Sequence, residues 1–430
     1  MTDEVGTTRR GMVTGGGLGL AALAISAASA SAATSAGQPT PVDEGLVQGA
    51  NLSFPPIYAE TERPDALPPN LDPPSHRVGF AIVGLGRLAV ENILPAFAEC
   101  KHARPVALVS GDPAKMAVLA AQYGIVPQAC YDYSSFARIR DNPAVEAVYV
   151  VTPNALHRDG VVAAARAGKH VLCEKPMAAS VAQAREMVAA CRTAGARLMI
   201  AYRCQYERTN AELAKRVRAG EFGPVQLIDA VNTQNQGDPT QWRQVKRLSG
   251  GGSLPDVGLY CLNTTRAILG EEPVEVYASI HSPPDDPRFA EVESNVSFTL
   301  RFPSGAIANC ASSYSAHEHR NIRVMGANGT AEIENAFAYE GQRLRLSRRD
   351  GMAEANTELS LARRNQFSLE IDHFAQCVRS GAQPRTPGEE GLQDQVLMGA
   401  IYESARTGRP VRLEPVAGRD VFRGPPPQAA

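Results

Sequence analysis

The chain has 430 residues, with 43 basic against 45 acidic side chains and a formal charge of -2, so it offers no basic footprint for nucleic acid or anionic lipid. Hydrophobic residues at 44% exclude wholesale disorder, 37 glycines without a repeat exclude a collagen-like chain, and the length allows two packed cores. Eight cysteines without a CxxC pair make neither a zinc ribbon nor a redox dithiol, so small-molecule chemistry without a metal is the expectation.

Residues 1–36 carry Arg9-Arg10, a short Gly/Ala/Leu run and the small residues Ala28-Ser29-Ala30. Paired arginine, a weak apolar stretch and an AxA site in that order read as a twin-arginine export signal, recognised by that export machinery, and imply a periplasmic mature protein. The apolar run is too short to span a bilayer. Because this route carries folded proteins, a cofactor can be loaded before export. Cys173, Cys191, Cys204, Cys261 and Cys310 lie in or beside apolar segments and are expected as buried thiols, with no essential disulfide. Residues 37–76 are punctuated by proline and read as an extended arm, with Phe54, Ile57 and Tyr58 as apolar anchors for docking on a neighbouring surface or subunit.

From residue 77 the pattern becomes strand, turn, helix. The apolar run 78–83 enters Gly84-Leu85-Gly86-Arg87-Leu88-Ala89, a GxGxxA turn whose first glycine permits the bend, whose second lets backbone approach a pyrophosphate, and whose small third residue allows close helix packing. A second strand at 105–109 ends in Ser110-Gly111-Asp112. Serine where an NAD enzyme places a ribose carboxylate, with Arg87 and Lys115 able to neutralise a 2′-phosphate, favours NADP(H); the alternative has Asp112 as the NAD carboxylate. Further strands at 145–151, 170–173 and 198–200 alternate with helices at 157–166 and 181–193, which predicts a doubly wound parallel sheet over 77–203. Thr152, Pro153, Asn154 and His157 follow the fourth strand, where they are expected near the nicotinamide ribose.

Residues 204–415 change grammar. After a helix at 210–218, alternating runs at 225–228, 274–277, 296–300, 305–309, 322–325 and 331–333 predict an α+β domain with a largely antiparallel open sheet for substrate binding and oligomerisation, followed by a Pro-rich tail at 416–430. His317-Glu318-His319 lacks metal-site spacing.

Two clusters carry chemistry. Glu174-Lys175-Pro176 ends a strand at the rim where open α/β sheets bind ligands, which puts Glu174 and Lys175 at the cofactor and aims Lys175 into the cleft. The glycine-rich segment 250–260 opens a helix on which Asp256 and Tyr260 stand four apart and share a face. Hydride transfer from a sugar hydroxyl needs a proton acceptor, and Tyr260 serves if a nearby cation such as Lys175 stabilises its phenolate. Weaker candidates are Arg203 toward the cofactor and Tyr202, Trp242, Arg243 and Tyr314 toward a sugar.

The GLG turn, the EKP triplet, GGGSLPDVGLYCLN at 250–263 and LMIAYRCQYE at 198–207 together resemble the Gfo/Idh/MocA oxidoreductase family over roughly residues 77–415, most similar to its glucose-fructose and aldose-aldose oxidoreductase branch. The resemblance implies that Lys175 and Asp256 position a mono- or small oligosaccharide, that Tyr260 is the acid/base, and that NADP(H) stays bound while one sugar is oxidised at C1 to a lactone and a second is reduced to a polyol. It also implies an arm that covers the cofactor's adenosine end in a homodimer or homotetramer. An aldose 1-dehydrogenase with dissociable NAD(P), or a non-catalytic sugar-binding protein on the same fold, are the alternatives.

Overall fold

A short antiparallel pair, β1 (Leu46–Gln48) and β2 (Asn51–Ser53), precedes the body of the chain. The computed structural model describes residues 46–48, 51–53 and 71–427; the export signal at 1–36 and the arm's anchors Phe54, Ile57 and Tyr58 lie outside the described residues.

Apolar strands alternating with helices must bury both faces of a sheet, which favours parallel pairing. The strands β3 (Val78–Val83), β4 (Ala103–Val109), β5 (Cys130–Tyr131), β6 (Ala147–Val150), β7 (His170–Glu174) and β8 (Leu198–Ala201) pair in the order β5-β4-β3-β6-β7-β8, all parallel. This is the doubly wound order, with the switch point beside β3, where the glycine turn lies. The turn leads into a π-helical segment Ala89–Ile93 and then α1 (Leu94–Ala96). Next come α2 (Pro113–Tyr123), α3 (His157–Arg166) and α4 (Val181–Thr193), the last two at the bounds their apolar periodicity predicts.

The second half contains α5 (Arg208–Arg218), β9 (Val225–Asn235), α6 (Lys246–Ser249), α7 (Leu259–Leu269), β10 (Glu275–His281), β11 (Asn295–Arg301), β12 (Ile307–Ser313), β13 (Ser315–Gly326), β14 (Gly329–Glu334), β15 (Arg343–Asp350), β16 (Ala353–Leu359), α8 (Gln366–Ser380), α9 (Gly388–Thr407) and β17 (Val411–Arg412). Its nine strands form one sheet in which β9 and β12 are parallel and every other pair is antiparallel. One face is buried by α7 and α9, and the alternation along β11 puts Val296, Phe298 and Leu300 inside.

Three features go beyond the sequence reading. The hairpin β15–β16 was not expected, because its register is carried by Arg343 and Arg345 paired with Glu358 rather than by apolar alternation. Helix α8 packs back against the nucleotide domain, where Phe374 meets Phe80 edge-on at 6.2 Å. The tail is packed over its described part: Arg423 is buried and pairs with Glu390 at 2.9 Å. The expectation of buried thiols holds at Cys173, Cys191, Cys204, Cys261 and Cys310.

Candidate active site

The glycine turn has the shape a dinucleotide needs. Gly84 has φ +92°, and a Cβ there would lie 2.7 Å from the Val151 carbonyl, so glycine is required. Gly86 and Arg87 are exposed, and nothing stands within 4 Å of a Cβ built on Gly86, which leaves an open approach to the turn. Leu85 is buried, Leu88 half-buried, and the Arg87 side chain pairs with Glu91 at 3.5 Å.

At the end of β4, Asp112 is committed. Its carboxylate caps α2 by accepting from Lys115 N at 3.0 Å, which occupies it as a helix cap and weighs against the reading in which it takes the ribose. Lys115 Nζ reaches across to the Leu85 carbonyl at 3.3 Å, and the buried Ser110 hydroxyl accepts from Asp112 N at 3.2 Å. A cation and a hydroxyl therefore stand at the corner where a 2′-phosphate would lie.

The loop after β6 braces the cleft rather than presenting side chains to it. Asn154 is buried and donates to the Ser249 carbonyl at 2.8 Å, tying the nucleotide domain to the second glycine loop. His157 is fully buried, with Nδ1 2.9 Å from the Pro176 carbonyl and Nε2 2.8 Å from that of Thr152, and burial lowers its pKa. Its ring joins the turns after β6 and β7, so it is not exposed to a ribose. Thr152 and Pro153 are half-buried at the same rim.

Lys175 stands after β7 on a cis Lys175–Pro176 peptide. Its ammonium donates to both Oδ1 and the backbone carbonyl of Asp256 at 2.9 Å and lies 4.6 Å from the centre of the Tyr260 ring. Asp256 Oδ2 accepts from Arg243 Nε at 3.0 Å and from the Tyr314 hydroxyl at 2.6 Å. Burial disfavours charge on both partners. Even so, Lys175 and Arg243 hold Asp256 far below the usual carboxylate range, and Asp256 holds Lys175 above the ordinary lysine value. The pair stays ionised.

Tyr260 meets a second cation. The Arg203 guanidinium donates from Nε to the Tyr260 hydroxyl at 3.1 Å and is held between the Tyr260 and Tyr339 rings, 4.6 Å from each centre. Its remaining N–H groups go to the carbonyls of Phe337 at 2.7 Å and Ala338 at 3.3 Å and to the Gln366 side chain. Arg203, expected toward the cofactor, is thus committed to the Tyr260 hydroxyl and to the 337–338 carbonyls.

The glycine segment positions Asp256. A Cβ on Gly252 would fall 2.0 Å from the Glu293 carbonyl, and the Glu293 carboxylate accepts from Gly252 N at 2.8 Å and Leu254 N at 2.9 Å. That caps the π-helical turn Leu254–Gly258, which runs on into α7. Asp256 and Tyr260 flank Lys175, as their spacing predicts.

The structure therefore brings Lys175, Asp256, Tyr260, Arg203, Arg243 and Tyr314 together. Trp242 lies beside this group, stacked on Arg243 at 4.6 Å. Tyr202 is buried beneath it, facing Asp394. Glu174 is buried and receives the Tyr149 hydroxyl at 2.8 Å, so it lies under the site. Tyr339, Gln366 and Glu293 escaped sequence reasoning: each stands in a segment with no motif, and only folding brings it within reach. Among the described residues no group of three or more His, Cys, Asp or Glu side chains could hold a metal, and His317 and His319 are exposed on β13.

Comparison with known proteins supplies the family. Residues 78–202 match a family described as an oxidoreductase family with an NAD-binding Rossmann fold, and residues 214–413 match the corresponding C-terminal alpha/beta domain. An aldose-aldose oxidoreductase from Caulobacter crescentus, solved with glycerol, is 48% identical and superposes with a TM-score of 0.76 over 78% of this chain and 100% of its own. A D-xylose 1-dehydrogenase [NADP(+)] from Haloarcula marismortui is 34% identical over 343 residues, 78% of this chain and 93% of the relative. A 1,5-anhydro-D-fructose reductase from Ensifer adhaerens is 28% identical over 78% of this chain and 98% of the relative. With both of its domains matched in order and an NAD(P)-binding turn at the head of the first, this chain belongs to the Gfo/Idh/MocA family of oxidoreductases.

Proposed function

We propose that the protein is a periplasmic sugar oxidoreductase that retains NADP(H), oxidises one aldose at C1 to its lactone and reduces a second sugar, ketose or aldose, to a polyol in a ping-pong cycle. The observation that carries this reading is the Tyr260 hydroxyl, hydrogen-bonded to Arg203, with the Lys175 ammonium over its ring, at the rim of a nucleotide-binding sheet. The 48% identical aldose-aldose oxidoreductase supports the sugar class, and the NADP-dependent xylose dehydrogenase supports the cofactor.

The chain's own residues fit the coenzyme. Gly84 makes the bend, Gly86 leaves backbone open for the pyrophosphate, and Ser110 and Lys115 supply a hydroxyl and a cation for a 2′-phosphate. When bound, the nicotinamide accepts a hydride from a carbinol carbon and returns one to a carbonyl. Tyr260 takes the proton of the sugar's C1 hydroxyl in the first half-reaction and gives one to the second sugar's carbonyl oxygen. Lys175 and Arg203 balance the negative charge that passes through the phenol oxygen. Asp256 fixes Lys175 by taking two of its three hydrogens, which leaves one for a sugar oxygen.

Retention follows from location. A periplasm holds no nicotinamide pool, so a released coenzyme would be lost, and nanomolar retention corresponds to about 12 kcal/mol of binding to which the N-terminal arm contributes. A homodimer or homotetramer, with the arm reaching a neighbouring subunit, completes the proposal.

The test is the near-ultraviolet spectrum of desalted protein purified without nucleotide. A reduced-nicotinamide band that rises with glucose and falls with fructose or a second aldose is the expected result. A nucleotide-free protein that turns over only with supplied NAD(P) would instead make it an aldose 1-dehydrogenase, the reading the xylose enzyme favours. Sugar binding without turnover in either condition would leave a binding protein.

A further inference from the structure

Beneath Lys175 lies a group that the proposed reaction does not use. The fully buried Tyr149 hydroxyl, at the end of β6, stands 2.8 Å from Glu174 Oε1 and 3.3 Å from Glu370 Oε1. Glu174 closes β7 directly before Lys175, and Glu370 lies on α8 with no exposed surface. Glu174 Oε2 also accepts from Lys175 N at 3.2 Å, whereas Glu370 Oε2 has no hydrogen-bond partner.

Hydrogen counting constrains this trio. A phenol has one hydrogen and donates one strong bond, while an ionised carboxylate only accepts. Two carboxylates sharing one hydroxyl are both satisfied only if one of them carries a proton and donates to the phenol oxygen. The shorter contact and the bond from Lys175 N assign the charge to Glu174. The cations act unequally on the pair: the Arg203 guanidinium favours charge on both carboxyls, whereas Lys175 favours it on Glu174. Lys175 neighbours Glu174, and Arg203 has its hydrogens engaged by Tyr260, Gln366 and backbone carbonyls rather than by either acid. Cys173, Cys204, Tyr206 and Tyr339 surround the two carboxyls and supply no cation.

We propose that Glu370 is a neutral acid at physiological pH and a positioning residue, donating through Tyr149 to Glu174 so that a single negative charge lies under Lys175 and orients the catalytic rim. Burial and the neighbouring Glu174 push the Glu370 pKa up, in keeping with this geometry.

The inference rests on the proposed reaction only for its turnover arm; two other arms need no activity. The infrared spectrum of the full chain at neutral pH should show a protonated-carboxyl stretch that shifts in D2O and vanishes in Glu370→Gln; its absence from the parent protein, or its survival in the variant, overturns the assignment. Glu370→Gln keeps a donor to Tyr149 without a titrating group. Because the proposal raises the folded-state pKa of this acid, the parent loses stability as pH rises above the unfolded value, so the variant's Tm should exceed the parent's by a margin that widens from about pH 5 to about pH 8. A variant that is less stable throughout that range overturns it. Glu370→Gln should keep sugar-dependent turnover within about twofold, while Glu370→Ala, which removes the donor, should lose about tenfold in kcat with little change in KM. Equal losses in both variants would make the carboxylate itself the requirement and overturn the neutral-acid role.

Discussion

At the scale of single residues, the site is an arrangement of cations around one phenol and one carboxylate. Arg203 uses its fork to hold Tyr260 from one side and loop carbonyls from the other, which a lysine's point charge cannot reproduce. Arg203→Lys should therefore lower kcat by about 10²-fold to 10³-fold, the usual cost of one fixed donor at a developing charge, while the coenzyme stays bound. Single-turnover reduction of bound nucleotide by an aldose measures this, and an unchanged rate would remove Arg203 from the acid/base group. Tyr260→Phe keeps the ring beneath Lys175 but loses the proton carrier, and should cost about 10²-fold to 10⁴-fold in the same assay. Full sugar-dependent turnover in that variant would end the assignment of Tyr260.

At the scale of elements, the rim is set by turns that tolerate no extra atom. Gly252→Ala would drive a Cβ to within 2.0 Å of the Glu293 carbonyl, displacing the capped turn that carries Asp256. Overpacking of this kind costs typically 1–3 kcal/mol and occasionally more. The variant should melt lower and bind sugar weakly; a parent-like Tm would show that the turn can shift.

Helix α8 has its own pH dependence. His373 Nε2 accepts from Arg385 N at 2.9 Å, and burial, aided by Arg385, lowers its pKa to about 4. The folded state thus binds its proton less readily than the unfolded chain. Stability is complete above the unfolded value near 6.5 and is lost as pH falls toward about 4, a contribution of ~3 kcal/mol. His373→Gln should flatten the acid limb of a Tm-against-pH series.

The elements differ in how openly the sequence displays them. Helices α3 and α4 are legible because each buries one stripe and carries a clear stop, and Lys175, Asp256 and Tyr260 are legible because motif context places them at one rim. The hairpin β15–β16 is not, since Arg–Glu pairs line its outer face and only Leu344, Leu346 and Leu359 turn toward the core. Arg203's partner was hidden for a different reason: nothing local to residue 203 points to residue 260, which reaches it only through the crossing of α7.

At the scale of the whole molecule, the last described residues lock α9 to the turn that follows α7. Arg423 is buried against Glu390 at 2.9 Å and Glu272 at 3.4 Å, beside Arg266, which pairs with Glu272, Glu390 and Asp394. Asn263 on α7 donates to both Glu390 and Asp394 at 2.8 Å and accepts from Gln205 at 2.8 Å. The network therefore fixes α7, which carries Tyr260 in its first turn, against the segment that carries Arg203. Removing one partner of a buried ion pair leaves charge without compensation and costs about 3–5 kcal/mol, whereas a well-packed apolar replacement of the whole set need not. Arg423→Met, and equally a chain ending at 416, should lower Tm by roughly 6–20 °C, taking about 2–4 °C per kcal/mol for a domain of this size. The loss should be partly recovered by adding Glu390→Gln, because the second change removes the stranded charge. Turnover should fall with stability, since α7 loses its anchor. Thermal unfolding of the three variants beside the parent decides the matter: a truncated chain that melts with the parent would make the segment a passive end, and failure of Glu390→Gln to restore any stability would place its contribution in packing rather than charge.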